Sequence, residues 1–345
     1  MIGKRERVAR LLDRARIFDA ILDLRARVRA PVLSALCYHS VGEPGGDYLF
    51  DDDVIDATPQ EMRAQMAILA RHCTVLGREQ VTAIMDGARV PPNPVIITFD
   101  DGYRSCRDVA LPILAEFGFT ATFFIATDYV SQRRPFWWDS VNYLVKRSAQ
   151  RHIEIDYPHV LKINLGQRHA AIEALKYAAS TTYGLDMGRF LDGLARAARV
   201  TWSHAVEEEL AAELIMTWQD VCALRSAGMD IASHTRSHQV LRNLSVAALE
   251  GELAGSRSDI EREVGESTRS LAYPVGYRIG HIPKLRAAVQ RAGYDIGFTN
   301  ASGVNYLWRG VDRYGVRRLA TGRGMSDAMF RGQLAVPPLA YTRST

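Results

Sequence analysis

Two adjacent carboxylates, Asp100 and Asp101, follow a short apolar run in Thr98-Phe99-Asp100-Asp101-Gly102-Tyr103. Two imidazoles four residues apart, His234 and His238, close the string Ile231-Ala232-Ser233-His234-Thr235-Arg236-Ser237-His238. Buried charge is costly unless it is paired or bound to metal, so two aspartates at a strand end demand a partner; the competing reading is an exposed Asp-Asp-Gly turn. Histidines at this spacing share one side of a turn or first helical coil. With a carboxylate they make an N/O ligand set that leaves positions open for water and substrate, the arrangement of catalytic zinc. A divalent metal, zinc foremost, is the expected cofactor. His72, His152, His159, His169 and His204 fall in helical or irregular segments and read as surface or packing residues.

The elements that must position these groups alternate along the chain. Short β-branched or aromatic runs at Val32 to Tyr38, Val95 to Phe99, Thr120 to Ile125, Met229 to Ser233, Arg269 to Tyr273, Tyr294 to Phe298 and Val316 to Leu319 are separated by helical patterns. That rhythm predicts repeated β/α units around a largely parallel sheet. Thr58-Pro59-Gln60-Glu61 has the form of a capping box with proline at the first helical position. A third strand end, Leu271-Ala272-Tyr273-Pro274-Val275-Gly276, carries a proline and a glycine where the chain must turn. The span from about 127 to 216 breaks the rhythm and reads as a helical insertion between core strands.

At 345 residues and 47% hydrophobic content the chain suits one large α/β domain with an elaboration, or two domains. Cys37, Cys73, Cys106 and Cys222 form no close pair, so neither a disulfide framework nor a cysteine metal site is expected and a reducing compartment fits. Residues 1–30 hold nine basic and four acidic side chains, leaving the remainder slightly acidic, so a general nucleic-acid surface is not expected. Val8, Leu11, Leu12, Ala15, Phe18 and Leu22 recur at helical spacing, which predicts one amphipathic helix over residues 4–29 with a basic opposite face. It either packs on the body or makes a peripheral contact with an anionic membrane surface. Charges interrupt its apolar positions, so no cleavable signal is expected and the chain reads as cytoplasmic, at most peripheral to the inner membrane face.

The ordered strand ends, Asp-Asp, then His-x-x-x-His, then Tyr-Pro-x-Gly, resemble the polysaccharide deacetylase family, carbohydrate esterases that remove N-acetyl or O-acetyl groups from glycans on a distorted (β/α) barrel. The resemblance runs in order from about Val32 to Leu319. The expected division is an N-terminal basic amphipathic helix over 1–30, a deacetylase barrel over 31–330 with the helical insertion at about 127–216, and a C-terminal tail over 331–345. The resemblance implies Asp100 as catalytic base, Asp101, His234 and His238 as metal ligands, an acetylated glycan as substrate, and the Val275 N–H facing a developing oxyanion with Tyr273 on the groove.

Two departures from the family pattern need candidates. Ala272 stands where many members carry an arginine beside the base, and Arg318, or else Arg317 or Arg313, would have to supply the guanidinium. No histidine follows His281, so His39 of Tyr38-His39-Ser40-Val41, which resembles the Tyr-His pair opening the barrel in deacetylases of exopolysaccharide systems, is the candidate acid. The alternatives are an amidohydrolase of a small cyclic amide and a degenerate glycan-binding module. Phe136-Trp137-Trp138-Asp139 reads as packing rather than a sugar platform, and Asp51-Asp52-Asp53 as a solvated loop.

Overall fold

The computed structural model describes residues 4–276 and 281–336. Every run read as a strand becomes one: β1 Val32–Tyr38, β2 Pro94–Phe99, β3 Thr122–Ile125, β4 Asp230–Ser233, β5 Ser270–Ala272, β6 Ile296–Ser302 and β7 Val316–Ala320. Each pairs in parallel with the next in chain order, and β7 returns to β1 through Leu36 opposite Leu319, closing a seven-stranded barrel. Short strands Thr74–Val75 and Asn305–Tyr306 add to β2 and β1 outside the ring.

The barrel interior follows from strand periodicity. Side chains alternate along a strand, so every second residue points inward. Leu33, Ala35, Ile96, Phe124, Ala232, Ala272, Ile296, Phe298 and Val316 form one buried cluster drawn from all seven strands. Counting on by two from these core positions reaches Cys37 and His39 on β1, Thr98 and Asp100 on β2, His234 past β4 and Arg318 on β7. The apolar plug therefore gives way to polar groups at the carboxyl ends of the strands, where barrel chemistry collects.

The chain divides into two compact units, and the division moves the expected insertion boundaries. Residues 132–215 form the second unit together with 44–54, while the helix Thr127–Gln132 stays largely with the barrel. The second unit has its own core, in which Val141, Leu144, Ile155, Leu175, Phe190 and Leu194 are buried. Phe136 and Trp138 stack at 4.6 Å inside it, consistent with packing. Asp51 does not sit in a solvated loop: it is buried, its carboxylate meets Lys176 Nζ at 2.9 Å, and its N–H donates to Asp139 at 2.9 Å.

The N-terminal arm is two helices rather than one, α1 Lys4–Arg14 and α2 Ile17–Arg27. Arg16 takes a left-handed conformation, φ 56°, which breaks the hydrogen-bond ladder between them. The break lets both helices lie on the helix Asp327–Ala335, where a Cβ at Gly332 would meet the Phe18 ring at 3.2 Å. Arg331 bridges to Asp13 at 2.6 Å, and Arg25 donates to the Leu334 carbonyl at 2.6 Å. The supposed tail thus continues a packed helix as far as Ala335; residues 337–345 lie outside the described residues.

Candidate active site

Asp100 extends β2 by one residue, its N–H bonded to the Tyr38 carbonyl at 2.8 Å, and its side chain enters the barrel mouth 1% exposed. Arg318 meets it fork to fork, donating to Oδ1 at 2.7 Å and to Oδ2 at 2.6 Å. Its remaining N–H groups reach the Thr299 carbonyl at 3.1 Å, Thr98 Oγ1 at 3.3 Å and Asn300 Oδ1 at 2.5 Å. All five guanidinium donors are therefore accepted, which is what allows a buried arginine to persist. Burial, the largest single influence, would raise the Asp100 carboxyl, but the charge and hydrogen bonds of Arg318 together with His234 and His39 outweigh it and hold the group below the usual carboxylate range.

Alternation decides among the three candidate arginines. Arg317 points out of β7, and Arg313 is spent on Asp86; only Arg318 faces inward. The guanidinium beside Asp100 thus comes from β7, while Ala272 is a small inward residue on β5.

Asp101 reaches the same mouth by a different route. A next residue on a strand would point outward, but Asp101 has φ 75° and swings back in, with its carbonyl accepting the Ala126 N–H at 3.0 Å. A non-glycine residue there carries strain that the surroundings must hold. Asp101 Oδ1 stands 3.4 Å from Nε2 of both His234 and His238. Burial resists its ionisation, yet the two imidazoles prevail and keep the carboxyl well below its ordinary value.

His234 is fixed by its other ring nitrogen, Nδ1, 2.9 Å from the Ala272 carbonyl, which leaves Nε2 turned to Asp101. This is the outer contact that metal-ligating histidines characteristically make. His238 follows a loop with left-handed Thr235, φ 64°, and is itself left-handed, φ 56°. Burial lowers its pKa, favouring the neutral imidazole that a metal requires.

The residues present fit a cation. Ligand atoms of Asp101, His234 and His238 lie within 4.8 Å of one another, and Asp101 Oδ1 is buried with no hydrogen-bond partner. The two Nε2 distances exceed those of ordinary hydrogen bonds, so this carboxylate oxygen is aimed at a point between the imidazoles without being bonded to either. A second grouping, Cys37, His39 and Asp100, is a poorer cradle, because Arg318 already occupies both Asp100 oxygens.

The helix Val246–Val264 secures the histidine loop. Glu252 accepts the N–H groups of Arg236 and Ser237, each at 2.9 Å, and the Ser237 hydroxyl. One turn on, Ser256 meets Ser233 Oγ at 2.7 Å; a further turn on, Asp259 accepts from Arg236 Nε at 3.0 Å and Thr127 Oγ1 at 2.8 Å. Replacing Glu252 by alanine is expected to leave two amides unpaired, at about 1–3 kcal/mol each. It should weaken metal binding about 10- to 100-fold while sparing the ligands themselves. Calorimetric zinc titration beside a denaturant melt checks both; an unaltered affinity would separate this helix from the site.

His39, at the end of β1, forms a pair that sequence reading missed. Asp56 Oδ2 accepts its backbone N–H at 2.6 Å and meets Nδ1 at 2.9 Å. Burial disfavours the imidazolium, but Asp56, with Asp101 and Asp100 behind it, raises His39 to about 10. The available signal was an acid isolated between apolar neighbours in Ile55-Asp56-Ala57. The groove turn is divided in its behaviour. Val275 is half exposed with φ 48°, a strained conformation for a β-branched residue, and Gly276 N–H closes the turn onto the Tyr273 carbonyl at 3.1 Å, leaving the Val275 N–H out of that bond. Tyr273 does not belong on the groove: its ring is buried among Leu249, Leu253 and Leu285, and its hydroxyl donates to the Tyr314 carbonyl at 3.0 Å. It follows inward Ala272, so alternation sends it to the helical layer.

The family model described as polysaccharide deacetylase matches residues 87–157 and 193–297, which contain Asp100, Asp101, His234, His238 and Val275 but not His39, Asp56 or Arg318. YxkH of Bacillus subtilis (strain 168), a curated polysaccharide deacetylase homologue, is 26% identical over 115 residues, 33% of this chain and 39% of its own length. The fold is shared with the Streptococcus pyogenes deacetylase PplD at TM-score 0.57 and 15% identity, covering 90% of this chain and 99% of that one. IcaB from Ammonifex degensii gives a TM-score of 0.53 at 17% identity, covering 88% and 96%. Since the family model spans just over half of the 345 residues and takes in the strand ends that carry the aspartates and histidines, this chain belongs to the polysaccharide deacetylase family.

Proposed function

We propose that the protein is a zinc-dependent deacetylase of an acetylated glycan. The observation that carries this reading is the Asp101 carboxylate oxygen, buried, without a hydrogen-bond partner, and flanked at 3.4 Å by two imidazole nitrogens. Asp101, His234 and His238 would hold a divalent cation, whose chemistry is to acidify water and polarise an acyl carbonyl. Asp100, ionised and oriented by Arg318, takes the proton of the attacking water as general base. The Val275 N–H faces the oxyanion as it develops; because the donor is main chain, the valine side chain is free to stay in solvent. His39, kept protonated by Asp56, delivers a proton to the departing amine. The products are acetate and a free amino sugar.

The Tyr38-His39 pair, which resembles the pair opening the barrel in deacetylases of exopolysaccharide systems, makes an exopolysaccharide the substrate class to test. Acetate release from a panel of N- and O-acetylated oligosaccharides tests the reading. Release from N-acetylglucosamine oligomers is expected; turnover of cyclic amides with no acetate from any glycan would favour an amidohydrolase instead.

A further inference from the structure

We propose that the face formed by α1, α2 and the Tyr306–Trp308 corner docks on an anionic phospholipid surface. One side of each helix is consumed by the body, through buried Ala9, Phe18 and Leu22. The other side is apolar where a solvated helix would be polar: Val8, Leu11, Ile17, Leu24 and Val28 are 47%, 68%, 40%, 61% and 64% exposed. At 3.6 residues per turn, Lys4, Arg7, Val8, Leu11 and Arg14 share one side of α1, and Ile17, Leu24, Arg27 and Val28 one side of α2. Exposed aliphatics therefore sit in the same stripe as exposed cations.

A second observation comes from a distant part of the chain. Tyr306 pairs with Val32, four residues beyond Val28, and Leu307 N–H donates to the Pro31 carbonyl at 2.9 Å, so this corner adjoins the end of α2. Tyr306 and Trp308 are 39% and 57% exposed, with ring centroids 5.0 Å apart. Of the twelve exposed large hydrophobic residues among the described residues, seven belong to these two segments. Tyrosine and tryptophan beside basic amphipathic helices are the composition of a membrane interface.

The chemistry selects among occupants. Nucleic acid would meet the cations but leave the aliphatic stripe unused. A second copy would bring one strongly cationic face against another. An anionic bilayer satisfies both parts, with the arginines at the headgroups and the aliphatics just beneath. Contact is with the surface, since no helix among the described residues is long and apolar enough to cross a membrane. The α2 end of this face lies at the amino-terminal ends of the strands, where Asn93, preceding β2, donates to the Leu22 carbonyl at 2.8 Å. The catalytic mouth is at the opposite ends of those strands, roughly 20 Å from the α2 end of the face for strands of this length.

The test is sedimentation of the full chain with vesicles of phosphatidylcholine alone or with phosphatidylglycerol added. Binding is expected only to the anionic vesicles and should fall as salt rises. Leu11→Glu with Leu24→Glu should weaken it about tenfold or more, and Arg7→Gln or Arg14→Gln about fivefold each. All four side chains are exposed, so unchanged thermal transitions serve as the folding control. Trp308→Ala should weaken binding as well, because that side chain is exposed on the same face. No sedimentation with anionic vesicles, equal binding to neutral ones, variants that bind as the parent does, or concentration-dependent self-association in place of lipid binding would each overturn the proposal.

Discussion

Asp100→Asn is expected to lower kcat/KM for acetate release by about 10²- to 10⁴-fold, the range general-base catalysis contributes, while zinc still binds. The substitution keeps the shape of the side chain but removes its ability to take a proton. Asp101, His234 and His238 are untouched, so metal content should be that of the parent protein. An asparagine also offers Arg318 one acceptor oxygen where the carboxylate offered two. Some loss of stability accompanies the change, and the kinetic comparison is made where both proteins are folded. Retention of full activity with bound zinc would remove Asp100 from the chemistry.

Arg318→Met is expected to have the largest effect on stability. It strands a carboxylate that is 1% exposed, and breaking a buried ion pair from one side costs about 3–5 kcal/mol. The sign with pH follows from the Asp100 shift. Its folded-state pKa lies below the unfolded value, so its contribution is present above the ordinary carboxylate range and lost as pH falls through the depressed folded value. Without Arg318 the largest of the influences that lower the carboxyl is gone. The variant should thus lose most stability at neutral pH and approach the parent in acid. Arg318→Lys keeps a charge but not the fork, and should recover only part of the loss. Denaturant melts at pH 7 and pH 3 check this; equal losses at both would mean that Arg318 acts through packing rather than charge.

The barrel was legible because its signals are local. Val95-Ile96-Ile97-Thr98-Phe99 is apolar throughout because both faces of β2 are covered, and Asp100 and Asp101 stand out where that run stops. The histidine pair was visible for the same reason. What escaped was set by alternation or by partners remote in sequence. Tyr273 sits one residue from inward Ala272, and a shift of one residue moves a side chain from the mouth to the helical layer. The choice of Arg318 over Arg317 turns on the same parity. Asp56 and Lys176 find His39 and Asp51 through tertiary contacts that no periodicity encodes. The break at Arg16 is likewise tertiary, since the helical pattern runs straight across it while the packing partners at Asp13 and Phe18 need two directions.

Glu252, Ser256 and Asp259 show how the site is kept rigid. They lie along one side of a single helix and reach three points of the loop between His234 and its flanks. The strained φ values at Asp101, Thr235, His238 and Val275 all occur at this mouth, where the surrounding bonds can hold them.

Zinc titration of chelator-stripped protein, with bound metal and acetate release followed in the same samples, is the most direct measurement. Acetate release should be absent from the stripped protein, rise in proportion to bound zinc, and level off at one ion per chain, with Asp101→Asn and His234→Ala failing to load. Undiminished acetate release from protein shown to be free of metal would contradict the assignment of Asp101, His234 and His238.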